Sequence, residues 1–250
     1  MADSKQGDSG STAPAASPTA NRLLAALRPA DLTALKPHLS LMAMERGQVL
    51  FDAGDDVDTT YFPCHAAMVS LLVVTRDGQE IEVATIGREG AVGGVVSSGF
   101  KPAFGRAVVT LPGAAFSVST ARLDALKLRA PALADLFNRY ADVLLAQMMQ
   151  SVACNALHNI EQRCCRWLLA THDRVGDNLI LLTQEALAEM LGVQRTTVTA
   201  VARTLQDEGL IRYSRGRIEI LDRPRLERRA CECYAAVETH FERLLPEVEA

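Results

Sequence analysis

The chain has 250 residues and a mass of 27.0 kDa, enough for two domains at about 100 to 200 residues each. Hydrophobic residues make up 48% and charged residues 22%, which excludes a wholly disordered, collagenous or membrane-embedded chain. The net charge of −4 argues against a surface that is positive throughout, so a nucleic-acid partner requires positive charge concentrated in one part of the chain.

Residues 1–20 are almost entirely Ser, Ala, Pro, Gly, Thr and charged residues, and a disordered tail is expected there. No apolar block follows Lys5, so neither a secretory signal nor a membrane anchor is expected, and the cytoplasm is the expected location. There the six cysteines are expected to be mostly reduced thiols. Two short helical patterns follow, Leu23, Leu24 and Leu27 in one and Leu32, Leu35 and Leu39 in the other, with Asp31 placed to cap the second. From Arg46 to about Thr120 the period becomes strand-like. Strands are predicted at Val49–Phe51, Met68–Thr75, Ile81–Ile86, Val92–Val96, Ala107–Leu111 and Ala115–Val118, with a tight primed turn at Asp77-Gly78. Short strands with turn signals between them predict an antiparallel β jelly-roll barrel over residues 21–130, the part that the resemblance given below implies to be a sensor domain.

After Pro131 a helical pattern runs to Ala156 through Leu133, Leu136, Phe137, Tyr140, Val143, Leu144, Met148 and Val152, a rod of roughly 39 Å. Its wide stripe suits a dimerisation helix over 131–156 that pairs with its copy in a second chain; packing onto the barrel alone is the blander alternative. The remainder, 157–250, is predicted to be a winged helix-turn-helix with a helical tail, making the fold class α+β.

Residues 182–210 carry the most informative pattern. Thr183 is placed to cap a first helix that buries Leu187, Met190 and Leu191, with Ala188 small at the crossing and Gly192 reversing the chain. A recognition helix over 194–208 then buries Val198, Val201, Ala202 and Leu205, leaving Arg195, Thr196, Thr199, Ala200 and Arg203 outward. Cations and hydroxyls without acids suit a DNA major groove, where Arg donates two hydrogen bonds to a guanine edge. Alternation over 211–220 around Ser214-Arg215-Gly216 predicts a two-stranded wing, with Arg212, Arg215 and Arg217 at or beside its tip. The candidate DNA contacts are Thr183, Gln194, Arg195, Thr196, Thr197, Thr199, Arg203, Arg215 and Arg217. Between Gln194 and Arg217 five Arg stand against Asp207 and Glu208, whereas residues outside 161–230 hold 14 basic and 20 acidic side chains. Doubling the reading head through the long helix predicts a homodimer on a near-palindromic duplex, with recognition helices about one DNA turn, or ~34 Å, apart.

Barrel, long helix and winged helix-turn-helix in this order resemble the Crp-Fnr superfamily of bacterial transcription regulators. The resemblance spans about residues 30–222. It rests on Arg46-Gly47-Gln48-Val49-Leu50-Phe51, Gly54-Asp55 and Tyr61-Phe62 in the barrel, Ile160 to Arg163 with Trp167 to Leu169 in the linker, and Leu182 to Leu210. It implies transcription regulation, operator DNA and RNA polymerase as partners, and a small-molecule effector. Members that bind cyclic AMP carry a Gly-Glu pair for the ribose and an Arg for the phosphate. Here the matching positions are Gly93, Gly94 and Arg106, so the ribose carboxylate is missing. Cyclic AMP is therefore not expected; another anionic ligand at these residues, or none, stays open, and no cofactor is assigned. In the recognition helix Thr196 and Ala200 stand where many relatives place Glu and Arg, leaving Arg195 with Gln194 as the expected base readers and Arg203 on phosphate.

No cysteine precedes Cys64, which argues against the amino-terminal iron–sulfur cluster of some relatives. Cys154, Cys164 and Cys165 are predicted to be small core residues, a thiol- or metal-responsive redox regulator being the alternative. His38, His65, His158, His172 and His240 show no ligand spacing with a cysteine, so no metal site is expected. No nucleophile elbow, phosphate loop or acid cluster points to catalysis, and no catalytic residue is assigned. The rival from a different class is a protein-interaction adaptor that does not bind DNA.

Overall fold

Residues 17–95 and 102–245 are described by the computed structural model. Pro18–Ala20, expected in the tail, form a 3-10 turn capped by Ser17; residues 1–16 lie outside the described part. Asn21 caps α1 (Arg22–Ala25), its Oδ1 accepting from Leu24 N–H at 3.0 Å while its amide donates to the carbonyls of Pro63 and Gly90. The next helix, α2 (Pro29–Leu35), starts at Arg28 with no side-chain cap. Asp31 sits inside its first turn and accepts from Arg28 Nε at 2.8 Å, so the expected Asp31 cap is replaced by an ion pair that still complements the helix dipole.

Seven strands follow: β1 (Ser40–Met44), β2 (Val49–Phe51), β3 (Thr59–Cys64), β4 (Met68–Val74), β5 (Glu80–Ile86), β6 (Arg106–Leu111) and β7 (Gly113–Ser119). They form two antiparallel sheets, ordered β1-β7-β3 and β2-β6-β4-β5. Met44 and Ala115 of the first sheet pack with Val69, Ala84, Ile86 and Val109 of the second. The strand expected over Val92–Val96 reduces to one two-hydrogen-bond bridge between Tyr61 and Val92, because Gly93 and Gly94, at φ +81° and +61°, turn the chain away. Val96 lies outside the described residues. The strands β1 and β3 carried weak signals: Leu39 and Leu41 continue a leucine spacing that reads as helix, and Pro63 interrupts β3, which tolerates it as an edge strand. At the β4–β5 turn only Gly78 has positive φ, at +80°, and Thr75 N–H donates to Gln79 O. The turn is thus a longer one ending in a left-handed glycine, not the expected two-residue primed turn.

The short α3 (Thr120–Lys127) leads to α4 (Pro131–Leu157), with Pro131 at its first position and a length of about 40 Å. One face of α4, from Leu133 to Val143, joins the sensor core with Phe62 edge-on to Phe137, and Leu144 packs into the core between the two sheets. Val152, expected in the same stripe, is instead exposed, together with Leu145 and Met149. His158 breaks the helix and Asn159 caps α5 (Ile160–Val175). Then come β8 (Leu179–Ile180), α6 (Gln184–Leu191), α7 (Arg195–Asp207), β9 (Ile211–Ser214), β10 (Arg217–Ile220), α8 (Arg223–Arg229) and α9 (Cys233–Leu244). The wing is three-stranded, β8-β10-β9. The last helix turns back along α4, where Phe241 and Leu245 enter the sensor core and Arg139 donates to the Leu244 carbonyl at 2.7 Å.

Candidate nucleic-acid interface

The head is assembled on α5, whose Trp167, Leu168 and Leu169 pack with Leu187 and Leu191 of α6 and Val198, Val201 and Leu205 of α7. Thr183 caps α6 through Ala186 N–H, 3.2 Å from its Oγ1. After Leu191 the chain must reverse at once, and Gly192 does so at φ +64° with no side chain near enough to force it. The requirement there is backbone freedom alone. The helix α7 then buries Val198, Val201, Ala202 and Leu205 as its spacing predicts, and Arg195, Thr196, Thr199, Ala200 and Arg203 point to solvent. Gln194 is the exposed N-cap residue and Thr197 is half-buried at the side of the face.

The wing turns through Arg215 and Gly216, both with positive φ, at +46° and +78°. Two consecutive left-handed residues between paired Ser214 and Arg217 make the primed turn that matches strand twist, and the turn holds Arg215 and Arg217 outward. Neither forms an ion pair among the described residues. By contrast Arg212 is held by Glu219 at 2.8 Å, across the β9–β10 ladder.

Tertiary packing adds neighbours that linear reading misses. Glu185 approaches Arg195 at 3.9 Å, so the outer face of α7 is not free of acids, though both groups are largely exposed and such a pair contributes little. Arg203 pairs with Asp207 at 3.7 Å on the same terms. Gln184, not foreseen as part of the site, lies with its Oε1 2.7 Å from the Thr199 hydroxyl. Thr183 also accepts from Arg46 Nη2 of the sensor unit at 3.4 Å. A groove of about 880 Å³ between the β4–β5 turn and the start of α7 is lined by Glu80, Glu185, Glu189, Arg163 and Arg195.

The head is docked on the sensor. Met68 and Leu111 belong to the head's core cluster. Glu82 of β5 accepts from Ser70 Oγ at 2.6 Å and from Trp167 Nε1 at 2.9 Å. Arg174 of α5 donates through Nε to Glu89 at 2.8 Å, with both side chains nearly inaccessible.

The effector candidates are all engaged in structural roles. Arg106 grips Asp52 with two hydrogen bonds of 3.0 and 2.9 Å and also pairs with Glu80, and its guanidinium holds the Asp52 carboxyl below the usual range. A side chain on Gly93 would run into the Thr59 carbonyl at 2.7 Å, and one on Gly94 into the Thr60 hydroxyl. Cys164 and Cys165 are core residues as expected; burial pushes both thiols up, Cys165 to about 12. Cys154 is not with them. It lies with His158, Cys231 and Cys233, the four donor atoms all within 4.8 Å of one another; Cys154 and His158 do stand at an i,i+4 ligand spacing, contrary to expectation, and only the meeting of the two halves, 73 residues apart, is invisible in the sequence.

The family model for the Crp-like helix-turn-helix domain matches residues 162–229, which include α6, α7 and the wing. The chain thus carries a Crp-like helix-turn-helix domain. The global nitrogen regulator of Synechococcus elongatus is 29% identical over 212 residues, spanning 81% of this chain and 94% of that protein. The structure of FixK2 from Bradyrhizobium japonicum shares the fold with a TM-score of 0.67 at 15% identity, covering 77% of this chain and 98% of that one. A putative Crp/Fnr-family regulator from Eubacterium rectale does so with a TM-score of 0.62 at 19% identity, over 84% and 98%. The matched segment is the helix-turn-helix built on α5, and among the described residues no helix is long and apolar enough to cross a membrane.

Proposed function

We propose that the chain is a cytoplasmic, sequence-specific regulator that binds near-palindromic operator DNA as a homodimer, with α7 in the major groove and the β9–β10 wing on the backbone. The observation that carries this reading is the exposure of Arg195, Thr196, Thr199 and Arg203 on α7 and of Arg215 and Arg217 on the wing of the same head. These side chains offer bidentate donors, hydroxyls and solvent-exposed positive charge that only long, exposed acid contacts to Arg195 and Arg203 offset, which suits base edges flanked by phosphates. Dimerisation is supported by the exposed apolar row Leu145, Met149 and Val152, at spacings of four and three on α4. RNA polymerase is the partner through which the bound dimer acts. Cyclic AMP is not the signal in this reading, because Arg106 is spent on Asp52 and Glu80 and no acid stands at Gly93 or Gly94.

Selection of binding sequences from a random duplex pool by the purified full-length chain tests the proposal. The expected result is enrichment of a two-fold-related pair of half-sites about one helical turn apart. Absence of any enriched sequence at low salt refutes it and leaves the protein-interaction adaptor as the reading.

A further inference from the structure

Three of the six cysteines behave as ordinary core residues: Cys64 lies in the sensor core, and Cys164 and Cys165 in the head core. The other three do not. Cys154, Cys231 and Cys233 are 0%, 4% and 1% exposed and form a cluster of their own, touching none of the large apolar cores. Cys154 Sγ lies 3.5 Å from Cys231 Sγ, and Cys233 Sγ lies 3.4 Å from Nδ1 of His158. A tetrahedral zinc with Zn–S bonds near 2.3 Å holds its ligand atoms about 3.8 Å apart, so these separations fit a common metal with only small adjustment.

The surroundings match a ligand set as well. His158 turns its other nitrogen, Nε2, to Glu232 Oε1 at 3.2 Å, which leaves the Nδ1 lone pair directed at the sulfurs. A carboxylate holding the remote N–H of a histidine is the usual support of a metal ligand. Gln150 Nε2 donates to Cys233 Sγ at 3.0 Å, a bond that strengthens when the acceptor is a thiolate. Arg163 and Arg166 lie within electrostatic reach of Cys154, and the Nε atoms of both are buried without a partner. Two cations beside three thiols are wasted on neutral groups but offset the charge of a zinc bound by three thiolates and one imidazole, which is −1.

We propose that Cys154, His158, Cys231 and Cys233 form a four-coordinate site for a thiophilic divalent cation, zinc in the first instance. Binding replaces three thiol protons, which pass to solvent, and the neutral imidazole adds its lone pair; no electron is transferred. The site joins the end of α4 to the start of α9, at the joint where the chain turns at His158 and Asn159 into the DNA-binding unit. Occupancy therefore staples the C-terminal helix to the long helix and stiffens the hinge between sensor and head.

Full-length protein, purified reduced and treated with Zn²⁺ or Co²⁺ before gel filtration, tests this directly by elemental analysis and absorption. The expected result is one metal per chain, with the cobalt form showing the intense visible bands of a tetrahedral thiolate-rich site and the accompanying near-ultraviolet sulfur-to-metal bands. Cys231→Ser should lose both, Cys164→Ser should keep both, and Glu232→Gln should weaken zinc by roughly 10- to 100-fold in chelator competition. Should Cys231→Ser fail to fold, the wild-type stoichiometry and the Glu232→Gln shift decide the matter. The proposal is overturned if the wild-type chain retains no stoichiometric metal, or if Cys154→Ser and Cys231→Ser leave the cobalt spectrum unchanged. A Cys154–Cys231 disulfide in the reduced preparation, or an iron–sulfur chromophore in place of a single metal, overturns it equally.

Discussion

Two arginines illustrate how environment assigns work to identical side chains. Arg195 is exposed at the start of α7 with only a long contact to Glu185, so its fork of donors is available. Arg195→Ala should cost about 1 to 3 kcal/mol on the selected operator and relax base preference at one position of each half-site. Titration against operator and random duplex at one salt concentration checks this; equal losses on both would make Arg195 a phosphate contact. Arg174 is the opposite case, buried against Glu89 at 2.8 Å, with its Nη1 on the Ala170 carbonyl. Removing the acid leaves a desolvated cation, so Glu89→Gln should destabilise the chain by about 3 to 5 kcal/mol, whereas a double change of Glu89 and Arg174 to apolar residues should cost much less. Denaturant unfolding of the three proteins measures the difference.

At the scale of elements, α4 carries two faces with different fates. Leu133, Leu136, Phe137, Tyr140 and Val143 are consumed by the sensor core, while Leu145, Met149 and Val152 stay uncovered in the single chain at 56%, 65% and 70% exposure. Burying such a row against its copy supplies roughly 25 cal/mol per Å² of apolar surface removed from water. If the chain pairs through this row as proposed, placing Asp at both Met149 and Val152 should leave a monomer with intact secondary structure and cut operator affinity by far more than Arg195→Ala does. Light scattering coupled to gel filtration and circular dichroism report the two quantities; an unchanged dimer would move the interface elsewhere. The two hairpins teach a related lesson. Asp77-Gly78 and Arg215-Gly216 look alike as dipeptides, yet only the second has both residues left-handed. Strand register decides this, since Ser214 pairs directly with Arg217 and leaves two residues for the turn, whereas Val74 pairs with Glu80 and leaves five.

At the scale of the whole molecule, the junction between sensor and head contains a titratable group. The Glu82 carboxyl is enclosed between β5 and α5, and burial pushes it up to about 7 despite hydrogen bonds from Ser70 and Trp167 and the nearby cations of Arg166 and Arg174. The unfolded chain ionises Glu82 near pH 4.5 while the folded chain keeps its proton until about pH 7. Across that window the unfolded state binds fewer protons, so this residue's contribution to stability is fully present below about pH 4.5 and declines as pH rises to 7, by at most roughly 1.4 kcal/mol per unit. Glu82→Gln should flatten that part of the stability profile relative to the wild type. Parallel unfolding curves of the two proteins between pH 5 and 7 would show that the carboxyl ionises normally at the junction.

What the residue pattern determines alone is what depends on near neighbours in the chain. The helix-turn-helix is legible because a Thr cap, a reversing Gly and a three-and-four apolar spacing act over a few residues, and the long helix and most strands follow from their periods. Pairings across tens of residues are decided only by tertiary packing. Packing commits Arg106 to Asp52 and Glu80, sets Glu185 and Gln184 beside the outer face of α7, and seats Glu82 and Glu89 on the head. It also carries Cys231 and Cys233 on the returning C-terminal segment to Cys154 and His158 at the end of α4. A side chain's charge and hydrogen-bonding capacity are written in its identity, but whether they face solvent, DNA or a partner brought from the far end of the chain depends on where the backbone folds back.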